Sequence, residues 1–77
     1  MREIETKDCY VKFGKLVKAA REKQGLNQRE LAERLEITQP YLCKIENGQR
    51  NISLELVMTF CRILKIDIQE FVEECIQ

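Results

Sequence analysis

The stretch LNQRELAERLEITQPYLCKIENG, Leu26 to Gly48, limits the folds open to this chain of 77 residues more than any other feature. It carries two short apolar patterns of helical period, separated only by Glu36-Ile37-Thr38, and the chain's single proline sits at the head of the second. The first four N–H groups of a helix have no intrahelical acceptor. A proline in the first turn therefore forfeits no hydrogen bond, and its fixed φ already suits a helix. Pro40 marks a helix start. Thr38 is a good N-cap, with Gln39 and Pro40 as the first helical residues, although the bias of a residue before proline away from helical angles leaves Gln39 as an alternative cap.

The flanking segments also read as helices. Phe13, Leu16, Val17 and Ala20 recur at i, i+3, i+4 and i+7, which predicts a first helix over roughly Val11 to Gln24, ended by Gly25. Asn27 with Glu30 three residues on is a capping-box pair for a second helix, about Gln28 to Leu35, that buries Leu31, Ala32 and Leu35. The third helix turns Leu42 and Ile45 inward and stops at Asn47-Gly48. After the polar loop Gln49-Arg50-Asn51, Ser53 caps a fourth helix with Val57, Phe60, Cys61 and Leu64 on its buried stripe. Asp67 and Glu70 form another capping-box-like pair at the head of a last helix, with Ile68, Phe71, Val72 and Cys75 on one face and Ile76 beside it. The expectation is all-α: a compact five-helix bundle, one domain over residues 1–77.

Composition narrows the function. Hydrophobic residues make up 44% and charged residues 34%, as expected of a folded chain. No apolar run approaches the roughly 20 residues of a membrane span, and the start MREIETKD lacks a signal-peptide core, so a cytoplasmic protein with no membrane partner is expected. Formal net charge is zero, yet residues 1–50 hold 11 Lys/Arg against 8 Asp/Glu and residues 51–77 hold 2 against 5. That split favours an anionic partner for the front half and a different task for the back. Cys9, Cys43, Cys61 and Cys75 form no C-x-x-C pair and histidine is absent, so neither a metal site nor a disulfide framework is expected; most of the thiols read as small apolar residues, Cys61 as a buried one. With no histidine, no Gly-rich phosphate loop and no nucleophile–base set, the chain does not read as an enzyme, and no cofactor or small-molecule ligand is expected.

Two short helices joined by about three residues, with the small Ala32 where they would cross, make a helix-turn-helix unit over about residues 28–46. The same stretch resembles the helix-turn-helix of phage-repressor-type regulators, the Cro/repressor or Xre class. Gln28, Leu31, Ala32, Leu35, Ile37, Leu42, Ile45, Glu46, Asn47 and Gly48 supply the family's pattern, and the resemblance runs from about Phe13 to Phe71. It implies a lambda-repressor-like DNA-binding fold. Glu36 departs from the pattern at a turn position where the family usually has Gly in a positive-φ conformation. Within the family, the short length and ENGQRNISLELV are similar to restriction-modification controller proteins.

In such a unit the second helix lies in the major groove with its leading residues at the base edges, which assigns Gln39, Pro40, Tyr41 and Lys44 to base contact. Gln39 can pair with adenine N6/N7 and Lys44 can donate to guanine O6/N7, while Pro40 offers apolar contact to a thymine methyl. Asn27 and Gln28 open the helix before it, where free N–H groups suit a phosphate, and Arg29, Gln49, Arg50 and Asn51 flank the same surface as further backbone contacts. The resemblance also implies an ion pair between Arg21 and Glu46 that orients the recognition helix. It further implies a twofold dimer through the face of about residues 66–77: Ile66, Ile68, Phe71, Val72, Cys75 and Ile76.

The expected function is a sequence-specific transcription regulator, a homodimer on a palindromic operator of double-stranded DNA. It would act by occupying a promoter or by contacting RNA polymerase from it. The alternative from another class is an antitoxin-like interaction module whose main partner is a protein, with DNA binding secondary.

Overall fold

The computed structural model describes residues 6–76, with side chains described for residues 8–73. Five helices and no strand occur among them: α1 (Thr6–Lys23), α2 (Gln28–Leu35), α3 (Gln39–Glu46), α4 (Leu54–Leu64) and α5 (Ile68–Ile76). The start of α1 corrects the expected boundary at Val11. Cys9 and Tyr10, four and three residues before Phe13, continue its apolar stripe backwards and are half-buried, and Asp8 lies in the first turn, where a negative charge complements the positive end of the helix.

Capping follows the sequence closely at three helices. Asn27 Oδ1 accepts from the Glu30 amide at 2.8 Å while Glu30 Oε1 accepts from the Asn27 amide at 3.0 Å, a complete capping box. Thr38, not Gln39, caps α3. Its backbone is extended, with φ −78° and ψ 152°, and its hydroxyl accepts from the Tyr41 amide at 3.2 Å. Ser53 does the same for the Leu56 amide at 3.1 Å. At α5 the expected reciprocal box is replaced by a local Asx turn: Asp67 Oδ1 accepts from the Gln69 amide at 2.9 Å, and the Glu70 amide bonds instead to the Asp67 carbonyl.

The first four helices end alike. The amides of Leu26, Ile37, Gln49 and Ile66 reach back to the carbonyls of Arg21, Ala32, Lys44 and Cys61 at 2.9–3.1 Å, the six-to-one bond of a Schellman ending. The residue before each of these amides is left-handed: Gly25 (φ 72°), Glu36 (φ 58°), Gly48 (φ 71°) and Lys65 (φ 57°). Three of the four residues that follow are apolar. Leu26 is buried and Ile37 and Ile66 pack against the core, so each reversal also seals an end of the bundle.

The core is built around Phe13, whose ring meets Phe60 of α4 edge-on at 5.6 Å and Phe71 of α5 at 4.9 Å. Val17, Leu31, Leu42, Ile45 and Leu64 are fully buried beside it. Cys61 packs half-buried against this core, and burial, aided by the nearby Asp67 charge, pushes its thiol up from its ordinary value, so it is held protonated. Gly14 lies where α1 crosses the end of α3. A Cβ there would sit 2.5 Å from the carbonyl oxygens of both Ile45 and Glu46, so only glycine lets the two backbones approach this closely. Among the described residues no helix is long and apolar enough to cross a membrane, and no three Cys, Asp or Glu side chains gather into a metal-binding group.

Candidate nucleic-acid interface

The α3 helix has two unlike faces because its apolar residues recur at a spacing of three. Leu42 and Ile45 are buried, whereas Gln39, Pro40 and Lys44 are exposed on the opposite side. Tyr41 is intermediate: it packs partly against the core, and the Arg50 guanidinium lies over its ring with its carbon 5.4 Å from the centroid. Ile37, Thr38, Pro40, Tyr41, Lys44 and Arg50 together line a shallow recess on this surface. Cys43, half-buried on the same helix, receives a weak hydrogen bond from Asn47 Nδ2 at 3.7 Å.

The head of α2 is adjacent in sequence to Leu26 and presents exposed Asn27 and Arg29. Asn27 is already engaged in its capping box. Arg29 stands 3.9 Å from Glu33 one turn on, an exposed pair that contributes little and leaves the guanidinium available. Gln28 is partly buried, and its Nε2 donates to Glu46 Oε1 at 3.0 Å. The loop residues Gln49, Arg50 and Asn51 are all exposed.

Among the described residues, Arg21 and Glu46 are the buried charged ones, 8% and 6% exposed. Arg21 Nε donates to Glu46 Oε2 at 2.7 Å and Nη2 to Oε1 at 3.1 Å, a bidentate fork, while Nη1 donates to the Leu26 carbonyl at 2.9 Å. With Gln28 also donating to Glu46, the network ties α1, the α1–α2 link, the head of α2 and the tail of α3 together. The hydrogen bond to Glu46 raises the Arg21 pKa above its ordinary value against the opposing effect of burial, so the cation persists at any ordinary pH. Sequence reasoning had the pair but missed two members, the Leu26 carbonyl and the Gln28 amide. It also missed Gly14 and Gly48 as the contacts that press α1 onto α3. A Cβ on Gly48 would lie 2.7 Å from Val11 Cα; the signal for Gly14 was a glycine inside a helix that needs none, whereas Gly48 was already accounted for as a helix stop.

The residues expected at a dimer face divide. Ile66 is half-buried against the core and Phe71 turns inward onto Phe13, whereas Ile68 and Val72 are 42% and 44% exposed. The side chains of Cys75 and Ile76 lie outside the described residues. Leu54 and Met58, one turn apart on α4, are also exposed.

Comparison with known proteins agrees with this geometry. A family profile described as helix-turn-helix matches residues 17–71. The control protein C.MunI of Mycoplasma sp. is 42% identical over 48 residues; the match covers 61% of this chain and 65% of that protein, just under two thirds of its length. The restriction-modification controller protein C.AhdI of Aeromonas hydrophila superposes with a TM-score of 0.72 at 34% identity, over 80% of this chain and 94% of that one. The clp gene regulator ClgR of Corynebacterium glutamicum superposes with a TM-score of 0.78 at 27% identity, over 87% of this chain and 71% of that one.

Proposed function

The chain belongs to the helix-turn-helix family of the Cro/repressor (Xre) type, and from that premise we propose that it is a sequence-specific DNA-binding transcription regulator. In this reading it acts as a homodimer on an inverted-repeat operator and controls a restriction-modification system, as its likeness to C.AhdI and C.MunI supports. The observation that carries the proposal is the two-faced α3 helix. Its leading side chains Gln39 and Pro40 and the later Lys44 are free at the surface while its back is buried and its tail is locked by the Arg21–Glu46 fork. That is the arrangement a helix needs to enter a major groove as a rigid body, with α2 and the loop after α3 meeting the sugar-phosphate on either side.

Rigidity matters because a base-reading hydrogen bond discriminates only if its donor is already placed. A floating helix would lose in ordering entropy what the contact contributes. Selection of bound sequences from a random double-stranded DNA pool, with the purified full chain, tests the reading. Enrichment of a palindromic motif is expected, and failure to enrich any sequence at moderate salt removes it.

A further inference from the structure

We propose that Tyr41 is a positioning residue whose ring holds Arg50 over the recognition helix, and that Arg50 reads a guanine of the operator from there instead of contacting a phosphate. The inference rests on the DNA-binding reading above and deepens it. Arg50 comes from the loop after α3, where the sequence places backbone contacts. Its guanidinium nevertheless lies 5.4 Å above the ring of Tyr41, the third residue of α3, and shares one recess with Pro40 and Lys44. A cation held against the leading turn of a helix that enters the groove would be carried towards the base edges with that helix.

The chemistry favours the same assignment. A cation–π contact occupies none of the guanidinium N–H donors, so the fork remains free, and that fork matches guanine O6 and N7. No ion pair among the described residues involves Arg50, so no carboxylate competes for the fork. The loop that delivers it is anchored. Gly48 is left-handed and seated so tightly on Val11 of α1 that a Cβ would not fit, and the Gln49 amide bonds to the Lys44 carbonyl at 2.9 Å. Tyr41 in turn is fixed from below by packing against the core. The donor is thus placed before DNA arrives.

The test uses the full-length protein with the operator obtained by random-pool selection and a set of single-base-pair variants of it. Arg50→Lys keeps the charge but loses the planar fork. It is expected to lose roughly 5- to 150-fold in discrimination at one G·C pair per half-site while non-specific binding and the salt slope stay near those of the parent. Tyr41→Leu should lose discrimination at that same base pair, and Tyr41→Phe, which retains the ring, should rescue it. Circular dichroism shows whether each variant is folded; should Tyr41→Leu unfold, the Arg50→Lys and Tyr41→Phe arms still decide. The proposal is overturned if Arg50→Lys binds every sequence like the parent while Arg50→Ala weakens all of them equally and lowers the salt slope by about one per removed contact, the behaviour of a phosphate contact. It is equally overturned if Tyr41→Phe loses discrimination at a base pair of its own, which would make the tyrosine hydroxyl an independent reader. A parent protein that selects no sequence removes the DNA-binding reading itself, a result distinct from either.

Discussion

The polar side chains of Gln39 and Lys44 have no intramolecular hydrogen-bond or ion-pair partner among the described residues, which suits a base-reading role. Replacing either with alanine should cost about 1–3 kcal/mol at particular base pairs while sparing non-specific affinity, as measured by titrating single-base-pair operator variants. Equal weakening on every sequence would move them to the phosphate backbone. Glu46 has a structural task. In Glu46→Ala the Arg21 cation would stay buried with only the Leu26 carbonyl left to accept from it, and breaking such a pair by removing one partner costs about 3 kcal/mol or more. For a chain of this size, with a total stability on the order of 5–10 kcal/mol, that is a large fraction and should be plain in urea unfolding. A midpoint unchanged from the parent would mean that the fork does not hold the fold. The pairing of Arg21 with Glu46 was legible only through family resemblance, because residues 25 apart in sequence carry no local sign that they meet.

At the scale of elements, each helix end makes its own prediction. Glu36 and Lys65 occupy left-handed positions without being glycine, a conformation that costs an L-residue about 1 kcal/mol. Glu36→Gly should therefore raise stability by up to about 1 kcal/mol, read as a higher thermal midpoint; a lower midpoint would mean that the glutamate side chain contributes more than its backbone costs. Gly14→Ala should act oppositely to the usual helix rule. At an exposed helical position the change gains about 1 kcal/mol, but here the added carbon would meet two carbonyl oxygens at the tail of α3. Overpacking of that kind costs about 1–3 kcal/mol, and displacement of α3 should weaken operator binding as well. A Gly14→Ala protein as stable as the parent would show that α1 can move away at no cost. Caps and apolar periodicity made α2, α3 and α4 readable almost to the residue. The head of α1 was missed because Cys9 and Tyr10, which continue the stripe of Phe13 and Val17 backwards, stand beside the polar Thr6, Lys7, Asp8 and Lys12.

At the scale of the molecule, a single two-turn recognition helix reads only a few base pairs, and so small a core gains from burying further apolar surface. Two copies related by a twofold axis would set their recognition helices about one DNA turn, roughly 34 Å, apart on an inverted repeat. Val72 is the better probe of that association, since Phe71 is half-buried against Phe13 within the same chain and Phe71→Asp would also disturb that packing. Val72→Asp is expected to leave the circular dichroism spectrum intact, shift sedimentation towards monomer and weaken binding to the full operator far more than to a half-site. A parent protein that stays monomeric at micromolar concentration and binds half-sites as tightly as palindromes would end the dimer reading.

The sequence by itself determined the helical class, the position of the helix-turn-helix, its caps and the inward residues of the first four helices. All of these follow from interactions between residues three or four apart, which a linear pattern records directly. Tertiary structure alone decided that α1 seats on α3 through Gly14 and Gly48, that Phe71 packs inward onto Phe13 while Ile68 and Val72 remain exposed, and that Arg50 lies over Tyr41. Each of these depends on where two helices cross or a loop returns. The geometry of such meetings is set by packing the whole core at once, and no local spacing encodes it.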